Sequence, residues 1–255
     1  MTQSKTAREN PLLKPSPLPF GLPPFAKIKD ADFEPAFEAS IAEHLREINA
    51  IAHSPAPPTF DNTIVAMERA GEDLTRVGAI FGNLTASNTN PTLDRVQSVM
   101  APKLAAHSDA IFLDADLFKR VHALFERRAA LNLDPESLRL LERYHTRFVR
   151  ASALLGETDK AKLRELNKQL STLTTNFKQA VLKGVNASVI VVESQSELDG
   201  LSAEQIAVAA EAAQKRNLAG KWVIPLLNTT QQPTLANLKN RALRERIYRA
   251  SITRG

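Results

Sequence analysis

Cysteine is absent from this 255-residue sequence, and glycine (nine residues) and aromatic residues (5%) are scarce. Without cysteine the chain has no disulfide, no thiolate metal site and no cysteine nucleophile. The scarcity of glycine and aromatics, together with 43% apolar and 24% charged residues, indicates a helical protein rather than a β-sandwich or barrel. A chain of this length can bury a substantial core, so we expect one large domain or two small ones.

The sequence also lacks a long uncharged apolar run. Lys5, Arg8, Glu9 and Lys14 interrupt the N-terminal stretch and leave no signal-peptide core. The least charged later stretch, 222–238, is broken by two prolines and by several amide side chains. We therefore expect a soluble, cytoplasmic protein without a membrane partner.

Charge is distributed unevenly, with a net value of +5. Most basic residues alternate with acidic ones along predicted helices, which is typical of a solvated face. Near the C-terminus Glu245 alone opposes five arginines, namely Arg241, Arg244, Arg246, Arg249 and Arg254. Stacking aromatics are not interleaved with these arginines, so we expect no nucleic-acid partner. An independent helical module that binds an acidic partner through this segment is an alternative function.

Apolar residues recur every three or four positions in six segments, which predicts six amphipathic helices. These segments are 32–53, 61–84, 91–104, 114–125, 134–155 and 158–181. Asp61 is the predicted cap of the second helix, Pro102 should kink or divide the third, and Gly156 should end the fifth. Asp134, followed by Pro135 and Glu136, is a strong helix start.

The period changes after residue 185. The β-branched stretch 187–192 and the stretch 221–226 predict a pair of strands, with a helix over 202–215 between them. Residues 234–253 return to a helical pattern whose apolar positions lack a partner in the sequence. We predict a mainly α, multi-helix antiparallel bundle with a small two-stranded β element. Its parts are a Pro-rich extended arm (1–29), a helical bundle (30–184), the β element with its helix (185–227) and a truncated helical segment (228–255).

The motifs of common catalytic sites are missing. The five histidines are His44, His53, His107, His122 and His145, and none is followed by glutamate, so the zinc-binding H-E-x-x-H motif is absent. Neither a phosphate-binding glycine loop nor G-x-S-x-G occurs. We therefore predict no catalytic residue, no metal ligand and no cofactor in this chain.

Two weaker patterns have alternative explanations. Glu142 and His145 form one Glu-x-x-His pair, whereas a di-iron carboxylate site needs two such pairs and two further glutamates. The alternative is a partly buried histidine beside a surface acid. Asp134 and Glu136 are interpreted as helix-start residues rather than as an acid and a base.

Several segments resemble the thimet-oligopeptidase-like zinc peptidases. The resemblance includes Leu-Pro-Phe-Gly-Leu-Pro-Pro-Phe-Ala-Lys-Ile at 18–28, Phe-Glu-Pro-Ala-Phe at 33–37 and Phe-Asp-Asn-Thr-Ile at 60–64. The stretch Lys-Trp-Val-Ile-Pro-Leu-Leu-Asn-Thr-Thr-Gln-Gln-Pro at 221–233, together with 240–250, is more narrowly similar to the bacterial peptidyl-dipeptidase (dipeptidyl carboxypeptidase) branch. The similarity extends from about residue 10 to the end.

The resemblance implies a cytosolic peptidase of two mainly helical lobes that enclose a deep channel. In that family a zinc ion, held in the C-terminal half, serves the release of C-terminal dipeptides from short peptides. This chain corresponds to the N-terminal half, so it should be inactive alone and should form a channel wall that limits substrate size. Its partners would be short peptides, by way of the full-length enzyme, and its own C-terminal catalytic domain.

One loop is a predicted part of the substrate channel. It consists of Asn228, Thr229, Thr230, Gln231 and Gln232. Amide and hydroxyl groups can hydrogen-bond a peptide backbone without selecting its side chains. The alternative is a loop that merely caps the following helix.

Overall fold

The computed structural model describes residues 9–226 and 234–253. The fold is mainly α with one small antiparallel sheet, as predicted, and the chain divides into two compact units, Met1–Thr175 and Asn176–Gly255. The helices up to the first strand are α1 (Phe33–Ala52), α2 (Ala66–Arg69), α3 (Glu72–Ser87), α4 (Pro91–Phe112), α5 (Ala115–Glu126), α6 (Pro135–Arg150) and α7 (Glu157–Ala187). They are followed by β1 (Ile190–Val192), α8 (Ala203–Gln214), β2 (Trp222–Ile224), a helical turn at 234–237 and α9 (Arg241–Ile252). The four-part division of the chain stays a prediction.

Two apolar clusters form the core of the first unit. One cluster joins the start of α1 to α3 and the first half of α4, where the ring of Phe81 meets those of Phe33 and Phe37 edge-on at 5.1 and 5.3 Å. The other joins the end of α1 to α2, α5, α6 and the end of α4 around Phe112 and Phe148. The predicted helical stripes therefore bury their apolar faces against one another.

The proline-rich arm is partly ordered by short 3₁₀ turns, of which the first is Pro11–Leu13. Leu12 is buried in the α1–α3 cluster, and Arg76 Nε donates to its carbonyl oxygen at 3.3 Å. At this point the arm therefore lies on the helical body. Its later apolar residues, including Phe20, remain exposed.

The helix predicted over 61–84 is interrupted. A π-helical turn at Phe60–Val65 leads into α2, which ends before Gly71, a residue with φ of 74°. A Cβ at Gly71 would lie 2.5 Å from His44 Nδ1, and the Gly71 N–H donates to Glu47 Oε2 at 2.8 Å. The cap is Thr59, whose hydroxyl accepts from the Asn62 N–H, so the prediction of Asp61 as the cap was wrong. Close approach to α1 therefore overrides the continuous helical pattern.

Two other helix boundaries differ from the prediction. Helix α4 begins at Pro91 as expected, with Asn90 as its cap, but it continues through Pro102 without being divided. Helix α6 ends at Arg150 instead of continuing to Gly156, and Ser152 adopts a positive φ of 71°. Proline removes one backbone hydrogen bond from the helix. Burial of Met100 and His107, on either side of Pro102, offsets the free-energy cost of that loss.

Helix α7 is confirmed and longer than predicted, at 31 residues, but its apolar stripe is not a packing face. Asn167 Nδ2 donates to Asp109 Oδ1 of α4 at 2.7 Å, so a polar position of α7 makes the contact. Four apolar side chains of α7 are 60–68% exposed, namely Leu166, Leu170, Leu173 and Phe177. The apolar face that the period of α7 predicts is therefore largely exposed within the described residues.

The second unit contains the predicted strand pair. β1 and β2 are antiparallel, with Val191 opposite Val223, and α8 lies between them in sequence as expected. Leu238, Leu243 and Ile247 are buried in the same cluster as Val192. The C-terminal apolar face, which the sequence left without a partner, is therefore largely covered by this small sheet.

Across the residues described, no helix combines the length and hydropathy that crossing a membrane requires.

Candidate functional site

The loop proposed for the substrate channel lies outside the described residues. This applies to all five of its members: Asn228, Thr229, Thr230, Gln231 and Gln232. Their role stays a prediction.

The structure brings His44 and His107 together, although 63 residues separate them in sequence. His107 Nε2 lies 3.1 Å from His44 Nδ1, and the ring centroids are 4.8 Å apart. The apolar periods of α1 and α4 place both imidazoles on the faces where these helices meet, and Gly71 leaves room for the His44 ring. Each histidine alone resembled an ordinary helix residue, so sequence reasoning missed the pair.

Burial keeps this histidine pair neutral near pH 7. Burial lowers the pKa of His107 to about 4, and the neighbouring His44 lowers it further. Burial also lowers the pKa of His44, whereas the negative charge of Glu47 raises it in part. Two neutral imidazoles can share one hydrogen bond, with one nitrogen donating and the other accepting. The pair is therefore suited to hydrogen bonding rather than to proton transfer at neutral pH.

A cavity of about 280 Å³ adjoins this pair in the first unit. Its polar lining includes the two histidines, Glu68, Tyr144 and Arg147, and apolar residues such as Phe112 complete it. The Tyr144 hydroxyl donates to Glu68 Oε1, and burial, followed by the Glu68 interaction, raises the pKa of Tyr144. The cavity can offer hydrogen-bonding groups to a small polar ligand, but it contains no activated nucleophile.

A second histidine pair lies between α5 and α6. His122 Nδ1 is 3.1 Å from His145 Nε2, and the His145 ring stacks on Phe125 with a centroid separation of 3.8 Å. Burial and the nearby His122 lower the pKa of His145. Glu142 instead accepts from Arg139 at 3.3 Å, in agreement with its interpretation as a surface acid.

The part of the chain that the structure describes contains no group of three or more His, Cys, Asp or Glu residues placed to hold a metal ion. The two histidine pairs supply two nitrogen atoms each, whereas a zinc site needs three or four protein ligands. The residues present do not fit a zinc ion, and no catalytic step through a metal follows from them.

The acid pair at the start of α6 has a structural role. Asp134 Oδ1 accepts from the backbone N–H groups of Glu136 and Ser137 at 3.0 and 3.1 Å. Hydrogen bonds from Ser137 lower the pKa of Asp134, which is therefore charged and caps the helix at neutral pH. The prediction of a helix start is confirmed.

The arginines of α9 are partly compensated within the second unit. Arg246 Nη2 donates to the Val191 carbonyl oxygen at 3.0 Å and Nη1 lies 3.8 Å from Glu197 Oε2. Arg249 Nε donates to Glu245 Oε1 at 2.8 Å. Arg254 lies outside the described residues. The basic surface available to an acidic partner at this helix is smaller than the sequence indicated.

No family model matches the chain. The similar proteins of known sequence cited below are all peptidases by name. The chain is 45% identical to the dipeptidyl carboxypeptidase of Escherichia coli and 46% identical to that of Salmonella typhimurium, in each case over 245 residues, or 96% of the chain. It is 26% identical to oligopeptidase A of Haemophilus influenzae, also over 245 residues.

These matches cover 36% of each dipeptidyl carboxypeptidase and 35% of the oligopeptidase, so the chain spans about a third of the length of these relatives. The alignments include nearly the whole chain. The chain is therefore similar, over nearly its whole length, to part of the dipeptidyl carboxypeptidases and, at lower identity, to part of the oligopeptidases A, which confirms the resemblance found in the sequence.

Proposed function

We propose that this chain is the N-terminal, non-catalytic part of a cytoplasmic, zinc-dependent peptidase that releases C-terminal dipeptides from short peptides. The observation that carries this proposal is the contrast in identity: 45–46% to two dipeptidyl carboxypeptidases, against 22–26% to the oligopeptidases. The difference favours the dipeptide-releasing activity over a general oligopeptidase activity.

The zinc ion and the catalytic groups belong to the remaining part of the full-length enzyme in this proposal. The sequence contains no H-E-x-x-H motif, so the pair of imidazoles and the general base that this chemistry needs must come from elsewhere. This segment would act as a wall of the substrate channel and would restrict substrates to short peptides. The amide-rich loop from Asn228 to Gln232 would contact the peptide backbone.

The apolar stripe of α7 is exposed, which supports the proposal that another domain packs on it. The stripe consists of Leu166, Leu170, Leu173 and Phe177. Large apolar side chains repeated at three- and four-residue spacing are typical of an interaction face. We propose that the catalytic domain of the same protein covers this stripe, since the relatives are about three times as long as the matched segment.

The experiment compares the full-length enzyme with this chain in the release of dipeptides from an N-terminally blocked peptide. The full-length enzyme should be active and chelator-sensitive, whereas this chain should show no hydrolysis above background.

A second experiment tests the loop in the full-length enzyme. Gln231→Ala/Gln232→Ala should raise KM several-fold, and Gln214→Ala, on the exposed end of α8, is the control. Chelator-sensitive hydrolysis by this chain would disprove its non-catalytic role, and unchanged kinetic constants would remove the loop from the channel.

A further inference from the structure

A groove of about 770 Å³ runs along α6 in the first unit, beside Glu68 of α2. Four arginines of α6 line it: Arg139, Arg143, Arg147 and Arg150. They are separated by four, four and three residues, so they share one helical face over a length of about 16 Å. No sequence motif marks this stripe, because its members alternate with the buried apolar residues of the same helix.

The groove has an excess of positive charge. Arg139 is paired with Glu142 at 3.3 Å, and Glu68 is the acid that lines the groove itself. Arg143 and Arg150 have no acidic partner within 9–226 and 234–253. Three arginines therefore face one carboxylate, which leaves about two uncompensated charges for a ligand.

Several side chains of the groove are held in place before any ligand binds. The Arg147 guanidinium lies 3.9 Å from the centroid of the Phe112 ring, and the Tyr144 hydroxyl donates to Glu68. Leu141 and Phe148, on the opposite face of α6, are fully buried and fix the helix. A preorganised guanidinium loses less conformational entropy on binding a carboxylate than a free one.

We propose that this groove binds an extended peptide segment with acidic side chains at alternate positions. Along α6, Arg143 and Arg147 are about 6 Å apart. Residues i and i+2 of an extended peptide have side chains on the same side, about 6.6 Å apart. Two such carboxylates match two arginines, and each can form a bidentate pair.

Glu68 favours a peptide over a nucleic acid in this groove. A peptide backbone supplies N–H donors that a carboxylate accepts, whereas a phosphodiester backbone has no donor and is repelled by it. The aromatic ring at the groove, Tyr144, is half-buried and its hydroxyl is engaged by Glu68, so it is poorly placed to stack on bases. The choice of a peptide also rests on the proposed peptidase function, for which the groove would be an additional contact for acidic substrates.

The test measures fluorescence anisotropy of this chain with a labelled peptide of about eight residues that alternates Glu and Thr. The matched probe has Gln in place of Glu, and labelled oligo-dT is the nucleic-acid probe. The acidic peptide should bind most tightly, and its affinity should fall as salt is raised from about 50 to about 300 mM. Equal binding of the Gln peptide, or tighter binding of oligo-dT, would overturn the proposal.

Two variants with the same change in charge locate the site. Arg143→Glu/Arg150→Glu should weaken binding of the acidic peptide at least about tenfold, whereas Arg241→Glu/Arg244→Glu on α9 should change it less than about twofold. Equal losses would show a net-charge effect and overturn the proposal. Arg143→Gln/Arg150→Gln replaces the first variant if circular dichroism shows that it does not fold. Because binding uses this chain and hydrolysis uses the full-length enzyme, failure of the groove leaves the proposed peptidase function intact.

Discussion

Helices α6 and α7 follow each other in the chain and use their apolar faces in opposite ways. In α6 the apolar residues Leu141 and Phe148 are fully buried, and the other face exposes the arginine groove. In α7, which the structure describes throughout, Lys160 is the buried side chain and the apolar stripe is exposed. An apolar period thus identifies the face of a helix but not whether the folded chain contains a partner for it.

The largest expected difference between the two helices is in stability. Phe148→Ala should lower the free energy of unfolding by about 3–5 kcal/mol, because it leaves a cavity among Phe112, Phe118 and their neighbours. Phe177→Ala on α7 removes the same atoms from an exposed site and should cost less than about 0.5 kcal/mol. Urea denaturation measures both. Similar losses would contradict the structural contrast between the helices.

A smaller effect is expected from pH at the core beneath α6. Burial lowers the pKa of His107 to about 4, from about 6.5 in the unfolded chain. The neutral imidazole is therefore favoured by folding, so its stabilisation is complete above about pH 6.5 and is lost as pH falls towards 4. The loss should be on the order of 2–3 kcal/mol in urea denaturation at stepped pH.

The variant His107→Gln identifies the source of this pH dependence. It removes the titrating group, so the unfolding free energy should depend less on pH between about 6.5 and 4. Asn83→Gln, at an exposed site without a titrating side chain, is the control and should retain the slope of the parent. A slope unchanged in His107→Gln would assign the effect to other groups.

The smallest effect on stability, and the clearest on association, is expected at the stripe of α7. Leu170→Gln/Leu173→Gln should change the unfolding free energy by less than about 0.5 kcal/mol. The same change should reduce self-association of this chain at high concentration, measured by light scattering, because it removes exposed apolar surface. Thr172→Gln/Thr174→Gln is the control on the same helix. A destabilisation of several kcal/mol would show that the stripe is packed within the chain.

Much of the local structure could be predicted from the sequence. The capping signal at Asp134, the start of α4 at Pro91 and the strand pair with its intervening helix all appear as expected. These features depend on residues close together in the chain, such as a side-chain oxygen that satisfies a backbone N–H two or three positions later. Local chemistry of this kind leaves a readable pattern.

The candidate sites could not be predicted in the same way. His44 and His107, like His122 and His145, meet across different helices, and the arginine stripe becomes a groove only where Glu68 and Tyr144 close it. The C-terminal apolar face was expected to lack a partner, but Leu243 and Ile247 are buried in the second unit. Pairing between distant segments has no local signal in one sequence.

The sequence by itself determined the helical class, the starts of α4 and α6, the strand pair, the absence of the H-E-x-x-H motif and the family resemblance. Only the tertiary structure decided that Gly71 interrupts a helix, that burial lowers the pKa values of His44 and His107, and that the α7 stripe is left exposed. The reason is physical: periodicity and capping act within a few residues, whereas burial, cavity shape and pKa depend on which distant side chains surround a group.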